Sequence, residues 1–149
     1  MTLKQKIYSQ FRQILETKIN GLQQQLNDLK ESTANETKST AGDKYETARA
    51  MLQIEQDNTR RQLQESLEQQ SAFNAIEITI SSHEIIRGSL VKTNKGYLFI
   101  SVALGKIIVD GINVIALSPQ SPLGKQLMAL RVNDNTTINN ISYAIEEIL

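Results

Sequence analysis

The sequence predicts an α+β protein: an N-terminal antiparallel coiled-coil helical hairpin, then a small domain with an antiparallel sheet and one short helix. Two observations carry this. Up to residue 73 the apolar residues form narrow stripes at three- and four-residue spacing in otherwise polar segments, and beyond it they gather in short alternating runs separated by turn signals. Aromatic content is only 5%, there is no Trp, and most long apolar clusters follow residue 74, so one core drawing evenly on all 149 residues is not expected. The predicted boundaries are 1–73 for the hairpin and 74–149 for the sheet domain.

The first stripe runs Leu3, Ile7, Phe11, Leu15, Ile19, Leu22, Leu26 and Leu29, with Gln, Lys, Asp and Asn between. Residues 4–30 rise by about 1.5 Å each, which gives an arm on the order of 40 Å. Gly21 costs that helix roughly 1 kcal/mol relative to Ala. A weaker stripe passes through Tyr45, Ala48, Leu52, Thr59, Leu63 and Leu67, interrupted at Glu55 or Gln56. Two such narrow stripes bury each other best as an antiparallel pair, and they suit dimerisation or covering of the sheet domain as well. Neither helix is expected to be stable alone.

The tip of the hairpin is expected near 31–46, where Ser, Thr, Ala, Asn, Lys and Glu leave nothing large and apolar to anchor the chain up to Gly42. Gly42 suits a turn. Asp43 followed by Glu46 resembles a capping box, so both acids have a role in starting a helix, whatever else they do. Glu36, Lys38, Lys44 and Arg49 are further charged candidates around the tip, each readable as a solvated charge.

In the second half, strands are expected at 76–80, 85–91, 97–102, 107–109 and 112–117, with turns at Asn94-Lys95-Gly96 and Asp110-Gly111. Ser121-Pro122 opens a short helix with Pro at its first position, running through Leu123, Leu127 and Leu130. A hairpin of 136–138 and 141–148 turns through Asn139-Asn140.

Composition excludes several functions. Sixteen basic and sixteen acidic residues balance to zero, which removes the broad attraction that non-specific DNA binders use. Without Cys there is no disulfide, thiolate metal site or cysteine nucleophile, so a carbon–carbon condensing enzyme of the Cys–His type is ruled out. The one His, His83, stands between Ser82 and Glu84 and reads as a surface residue. Neither a signal-peptide pattern at the start nor a run of about 20 apolar residues is present, so a cytoplasmic location and no membrane span are expected.

Two segments resemble the Gre transcript-cleavage factors of bacteria. Ser121-Pro122-Leu123-Gly124-Lys125-Gln126-Leu127-Met128 with Val132-Asn133-Asp134 is similar to that family's Ser-Pro-aliphatic segment, short helix and Gly-Asp turn, although Ala129 and Asn133 depart from it. Gly42-Asp43-Lys44-Tyr45-Glu46 is similar to its Gly-Asp-x-x-Glu, with Thr47 where Asn is usual. The resemblance implies an FKBP-like sheet domain docking on RNA polymerase through Ser121, Pro122 and Leu123, and a tip entering the polymerase secondary channel near the nascent RNA 3′ end. It implies that Asp43 and Glu46 share a Mg2+ with the polymerase and stimulate cleavage of backtracked RNA, the chain being no enzyme by itself. A non-cleaving regulator of the same shape is the alternative. An FKBP-like head also raises prolyl isomerisation, for which Tyr97, Phe99 and Tyr143 are the only aromatic residues on offer.

Overall fold

A computed structural model describes residues 1–36 and 43–149. Two long helices come first, α1 (Leu3–Glu36, 34 residues) and α2 (Asp43–Asn74, 32 residues). They are followed by β1 (Leu90–Thr93), β2 (Gly96–Ile100), β3 (Gly105–Val109), β4 (Ile112–Leu117), α3 (Pro122–Leu127), β5 (Asn135–Ile138) and β6 (Ile141–Ile148). The chain divides into two compact units, Met1–Arg12 with Ser71–Leu149, and Gln13–Gln70. The first contains the whole sheet.

Helix α1 starts with a capping box. Gln5 N donates to Thr2 Oγ1 at 3.1 Å while Thr2 N donates to Gln5 Oε1 at 2.9 Å, so two otherwise orphaned backbone donors are satisfied reciprocally.

The sheet has the order β3-β4-β2-β1-β6-β5. Its expected antiparallel character holds at every pairing except one: β2 runs parallel to β4, with Tyr97 opposite Val114 and Ile100 opposite Leu117. Strand β3 forms a hairpin with β4 but lies outside it, and β4 fills the place beside β2. The sheet is therefore mixed.

Successive residues of β2 serve opposite faces, as strand geometry requires. Leu98 and Ile100 join Ile85, Val91, Leu117, Leu127 and Ile145 in one buried cluster, against which Leu123, Met128 and Leu130 also pack. Phe99 instead meets rings of the helical segments in the same unit, at 6.2 Å from Phe11 and edge-on at 6.1 Å from Phe73, while Tyr8 stacks on Phe73 at 4.6 Å.

Three turns stand where Asn, Asp and Gly suggested them. Asp110 and Gly111 have φ of 51° and 76°, Asn139 and Asn140 have 51° and 65°, and Gly96 closes the β1–β2 turn at 114°. Positive φ at both central residues, as at Asp110-Gly111 and Asn139-Asn140, is what the type I′ two-residue hairpin turn requires.

Residues 76–80 are not a strand. The Glu77 carboxylate accepts from Thr79 N at 3.2 Å and from Thr79 Oγ1 at 2.7 Å, which holds its pKa below the usual carboxylate value and bends the chain away from a ladder. Residues 85–91 form a strand only from Leu90 onward. Upstream, Ile86 and Ser89 close a turn on each other, Gly88 takes a φ of 95°, and Ile85 exchanges backbone bonds with Ala129 and Leu130. A Cβ at Gly88 would also approach Ile76 to 3.0 Å. The short helix ends at Leu127, so Leu130 lies beyond it.

In the unit formed by Gln13–Gln70, α1 buries the expected Leu15, Ile19 and Leu22, but α2 departs from expectation. Its buried positions are the expected Thr59, at 3% exposure, with Gln56 and Ser66, at 5% and 1%, whereas the expected Leu67 is 38% exposed. Gln56 does not interrupt the stripe; it belongs to it.

Candidate functional site

Asp43 is the first residue of α2, and Glu46 lies in the first helical turn with its side chain exposed to solvent. The side chains of Glu36, Asp43, Lys44 and Tyr45, and all of Lys38, lie outside the described residues. Arg49 is exposed one turn further along α2. On an α-helix, positions three apart share a face, so the backbone puts Asp43 and Glu46 on one side of the start of α2.

Further along α2, a hydrogen-bond network joins the two helices. Gln56 Nε2 donates to Thr33 Oγ1 at 2.6 Å and to the Leu29 carbonyl at 3.4 Å, Thr33 Oγ1 donates to that same carbonyl at 2.9 Å, and Arg60 donates to Gln56 Oε1 at 3.2 Å. The buried amide therefore uses its oxygen and its nitrogen, and no buried side-chain polar atom among the described residues lacks a partner. The spacing of 52, 56, 59, 63 and 66 would have revealed this polar layer, had polar residues been allowed on the stripe.

The second candidate segment precedes and opens α3. Ser121 is its N-cap, extended at φ −65° and ψ 159°. The hydroxyl accepts from Gly124 N at 3.0 Å and donates to the Ser118 carbonyl at 2.7 Å, and Ser121 N donates to that carbonyl at 3.1 Å. Gly124 is there because of the close approach: a Cβ would fall far inside contact distance of the Ser118 oxygen and 2.9 Å from the Ser121 hydroxyl. Pro122 stands exposed at the first helical position, and Leu123 is half-buried against the core cluster. Ser121 thus shapes the segment, while Pro122 presents it.

The turn after α3 explains a departure from the Gre-like pattern. Asn133 holds a φ of 77° where that pattern has Gly, and Asn is the side chain that tolerates the left-handed region best. Asp134 accepts from Arg131 N at 2.8 Å, and Arg131 in turn reaches Glu84 at 2.7 Å, which raises the pKa of its guanidinium.

Comparison with models of protein families, with curated proteins and with solved structures found no match to this chain. The remaining sequence candidates are placed by the structure as follows. Phe99 is wholly buried among Phe11 and Phe73, so it lines no open pocket, and Tyr97 and Tyr143 are half-buried. His83 is exposed. Among the described residues no group of three or more His, Asp or Glu gathers as a metal site, and no helix is long and apolar enough to cross a membrane.

Proposed function

We propose that this chain is a Gre-like transcription elongation factor. Its helices α1 and α2 act as an antiparallel coiled coil whose tip enters the RNA polymerase secondary channel, and Asp43 and Glu46 stimulate cleavage of backtracked RNA there. The observation that carries this reading is the pairing of Gln56 with Thr33 and Leu29, which joins the two helices side by side within the Gln13–Gln70 unit. With the helices joined there, the start of α2 lies at the end of the Gln13–Gln70 unit opposite Gln13 and Gln70. From Gln13 to Glu36 the rise is roughly 35 Å, enough for a narrow arm to deliver two acids into a deep channel.

Two carboxylates offer the hard oxygen donors that Mg2+ prefers but fill only two of its places, so they fit an ion shared with a polymerase rather than one held by this chain. Such an ion, when bound, supplies the polarised water and charge neutralisation of metal-assisted phosphodiester hydrolysis. Glu46, exposed in the first turn of α2, needs no rearrangement of its own unit to reach a partner. The sheet unit, in this reading an FKBP-like head, docks through the rigid Ser121-Pro122-Leu123 corner, with Pro122 as the presented surface.

The test is cleavage of nascent RNA in a stalled, backtracked polymerase complex, with wild-type protein beside the Asp43→Ala, Glu46→Ala double variant. Wild type is expected to shorten the RNA, and the double variant to bind equally well and leave it intact. Binding without cleavage by either protein would make the chain a non-cleaving regulator of polymerase, the outcome that Thr47 in place of Asn favours. Absence of binding would overturn the proposal.

A further inference from the structure

A second feature lies wholly within the sheet unit and is independent of the function proposed above. In the order β3-β4-β2-β1-β6-β5 the outer strands are β3 and β5, and an outer strand leaves a row of backbone donors and acceptors unpaired. The two edges differ in kind. Strand β5 is polar: the Thr136 hydroxyl donates to Gln126 Oε1 at 2.6 Å, and the hydroxyls of Thr137 and Ser142 share a hydrogen bond at 2.9 Å. Strand β3 is Gly105-Lys106-Ile107-Ile108-Val109, and its Ile108 is 62% exposed.

Val109 and Ile112 flank the two-residue turn at Asp110-Gly111, so they exchange hydrogen bonds, as do Ile107 with Val114 and Gly105 with Ala116. The N–H and C=O of Lys106 and Ile108 therefore point away from β4, and neither residue makes a further backbone hydrogen bond among the described residues. Lys106, Ile108 and, on β4, Ile115 share one side of the sheet, and all three are exposed. A Cβ added at Gly105 or Gly111 would meet nothing within 4 Å, so both ends of the strand are clear as well.

Edge strands commonly resist pairing by carrying a Lys, and Lys106 is that residue here. It forbids one register and permits another. Two β3 strands paired antiparallel about Lys106 would set their ammonium groups opposite each other, which is destabilising. Paired about Ile108, they set Ile108 against Ile108, and Lys106 against Asp110 of the second copy. The Asp110 carboxylate holds Lys6 through Oδ2 at 2.9 Å, and its other oxygen has no partner among the described residues. We infer that two copies of this chain associate through β3, antiparallel about a two-fold axis at Ile108, so that the sheet of one copy continues into that of the other. One short strand from each copy makes a small, reversible interface rather than an obligate one.

Sedimentation of the full chain, followed as its concentration rises, is the first test. Wild type is expected to pass from one copy to two, with hydrogen exchange at the Ile108 amide slowing in step. Ile108→Lys, at an exposed position, should weaken the pair at least about tenfold, since it loses the aliphatic contact and sets like charges across the axis. Lys106→Glu should weaken it several-fold, by facing Asp110 with a second acid. Cross-linking reads the geometry separately, because opposite residues of a hydrogen-bonded pair lie about 5.5 Å apart at Cα, within reach of a disulfide. The chain has no Cys of its own. Ile108→Cys should therefore link two copies under oxidised glutathione, and Thr137→Cys, on the other edge, should not. Being a gain of signal, this decides the matter should Ile108→Lys fail to fold. A single copy at every concentration, a pair undiminished by Ile108→Lys, or equal cross-linking by the two Cys variants would each overturn the assignment.

Discussion

Inside the sheet unit Phe11, Phe73 and Phe99 are wholly buried and touch ring to ring, whereas α2 lines the Gln13–Gln70 unit with Gln56, Thr59 and Ser66. A ring buried in this way removes on the order of 150–250 Å² from water and dominates the energetics of its surroundings. A buried amide or hydroxyl contributes little net stability, but it must find its partner, and so it selects one alignment of two helices over its neighbours. The contrast teaches that the sheet unit is held mainly by the amount of surface it hides, and the helical unit by the correctness of its register. That division suits the arm proposed above, whose reading requires Asp43 and Glu46 at one fixed place.

The sharpest way to break the comparison is to attack each unit by its own chemistry. Phe99→Ala should cost about 3–5 kcal/mol, read by chemical denaturation, because the cavity between Phe11 and Phe73 cannot close. A loss below about 1 kcal/mol would mean the rings do not hold the unit. Next comes Gly124→Ala. Overpacking against the Ser118 carbonyl is expected to cost about 1–3 kcal/mol and to displace the α3 amides in an NMR spectrum, since the obstacle is backbone and cannot swing aside. The smallest effect is expected from Gln56→Leu. Thr33 keeps its bond to the Leu29 carbonyl and Arg60 keeps Asp57 at 3.3 Å, so no buried group is orphaned and stability should move by less than about 1 kcal/mol. The register should suffer instead. Spin labels on the two helices would show a broadened distance distribution in Gln56→Leu and a single one in wild type; equally narrow distributions would remove the polar layer from the account.

Legibility in the sequence followed the same division. Hairpin turns were readable because positive φ admits few residue types, and Asp110-Gly111 and Asn139-Asn140 are among them. The Ser-Pro start of α3 was readable for a similar local reason. The apolar stripe of α1 gave its buried face correctly, from Ile7 through Leu22. The loop at 76–80 deceived because alternation is also produced by a chain that buries Ile76 and then lets Glu77 and Thr79 bond to each other. The parallel β2–β4 pair was hidden because alternation orients side chains but does not name a strand's neighbour. Gln56 was missed because a polar residue on a stripe looks like a break until its partner on the other helix is seen. Of the candidate site, the spacing of Asp43 and Glu46 and their place at a helix start were legible. The double hydrogen bonding of the Ser121 hydroxyl, which turns that side chain from a contact into a scaffold, was not.

The membership of Met1–Arg12 in the sheet unit has a consequence in time. Tyr8 and Phe11 leave the ribosome before Phe73 and Phe99, whose surfaces they cover, and Lys4 meets Leu149 from 145 positions away. At about 5–20 residues per second, roughly 7–30 s of synthesis separate those first turns from their completed setting. During that interval the opening segment offers a bare apolar stripe, and the closure that ends it is of long range and therefore slow. A nascent chain of this protein should thus engage a holdase early and release it late, as one event, when β6 takes its place beside β1.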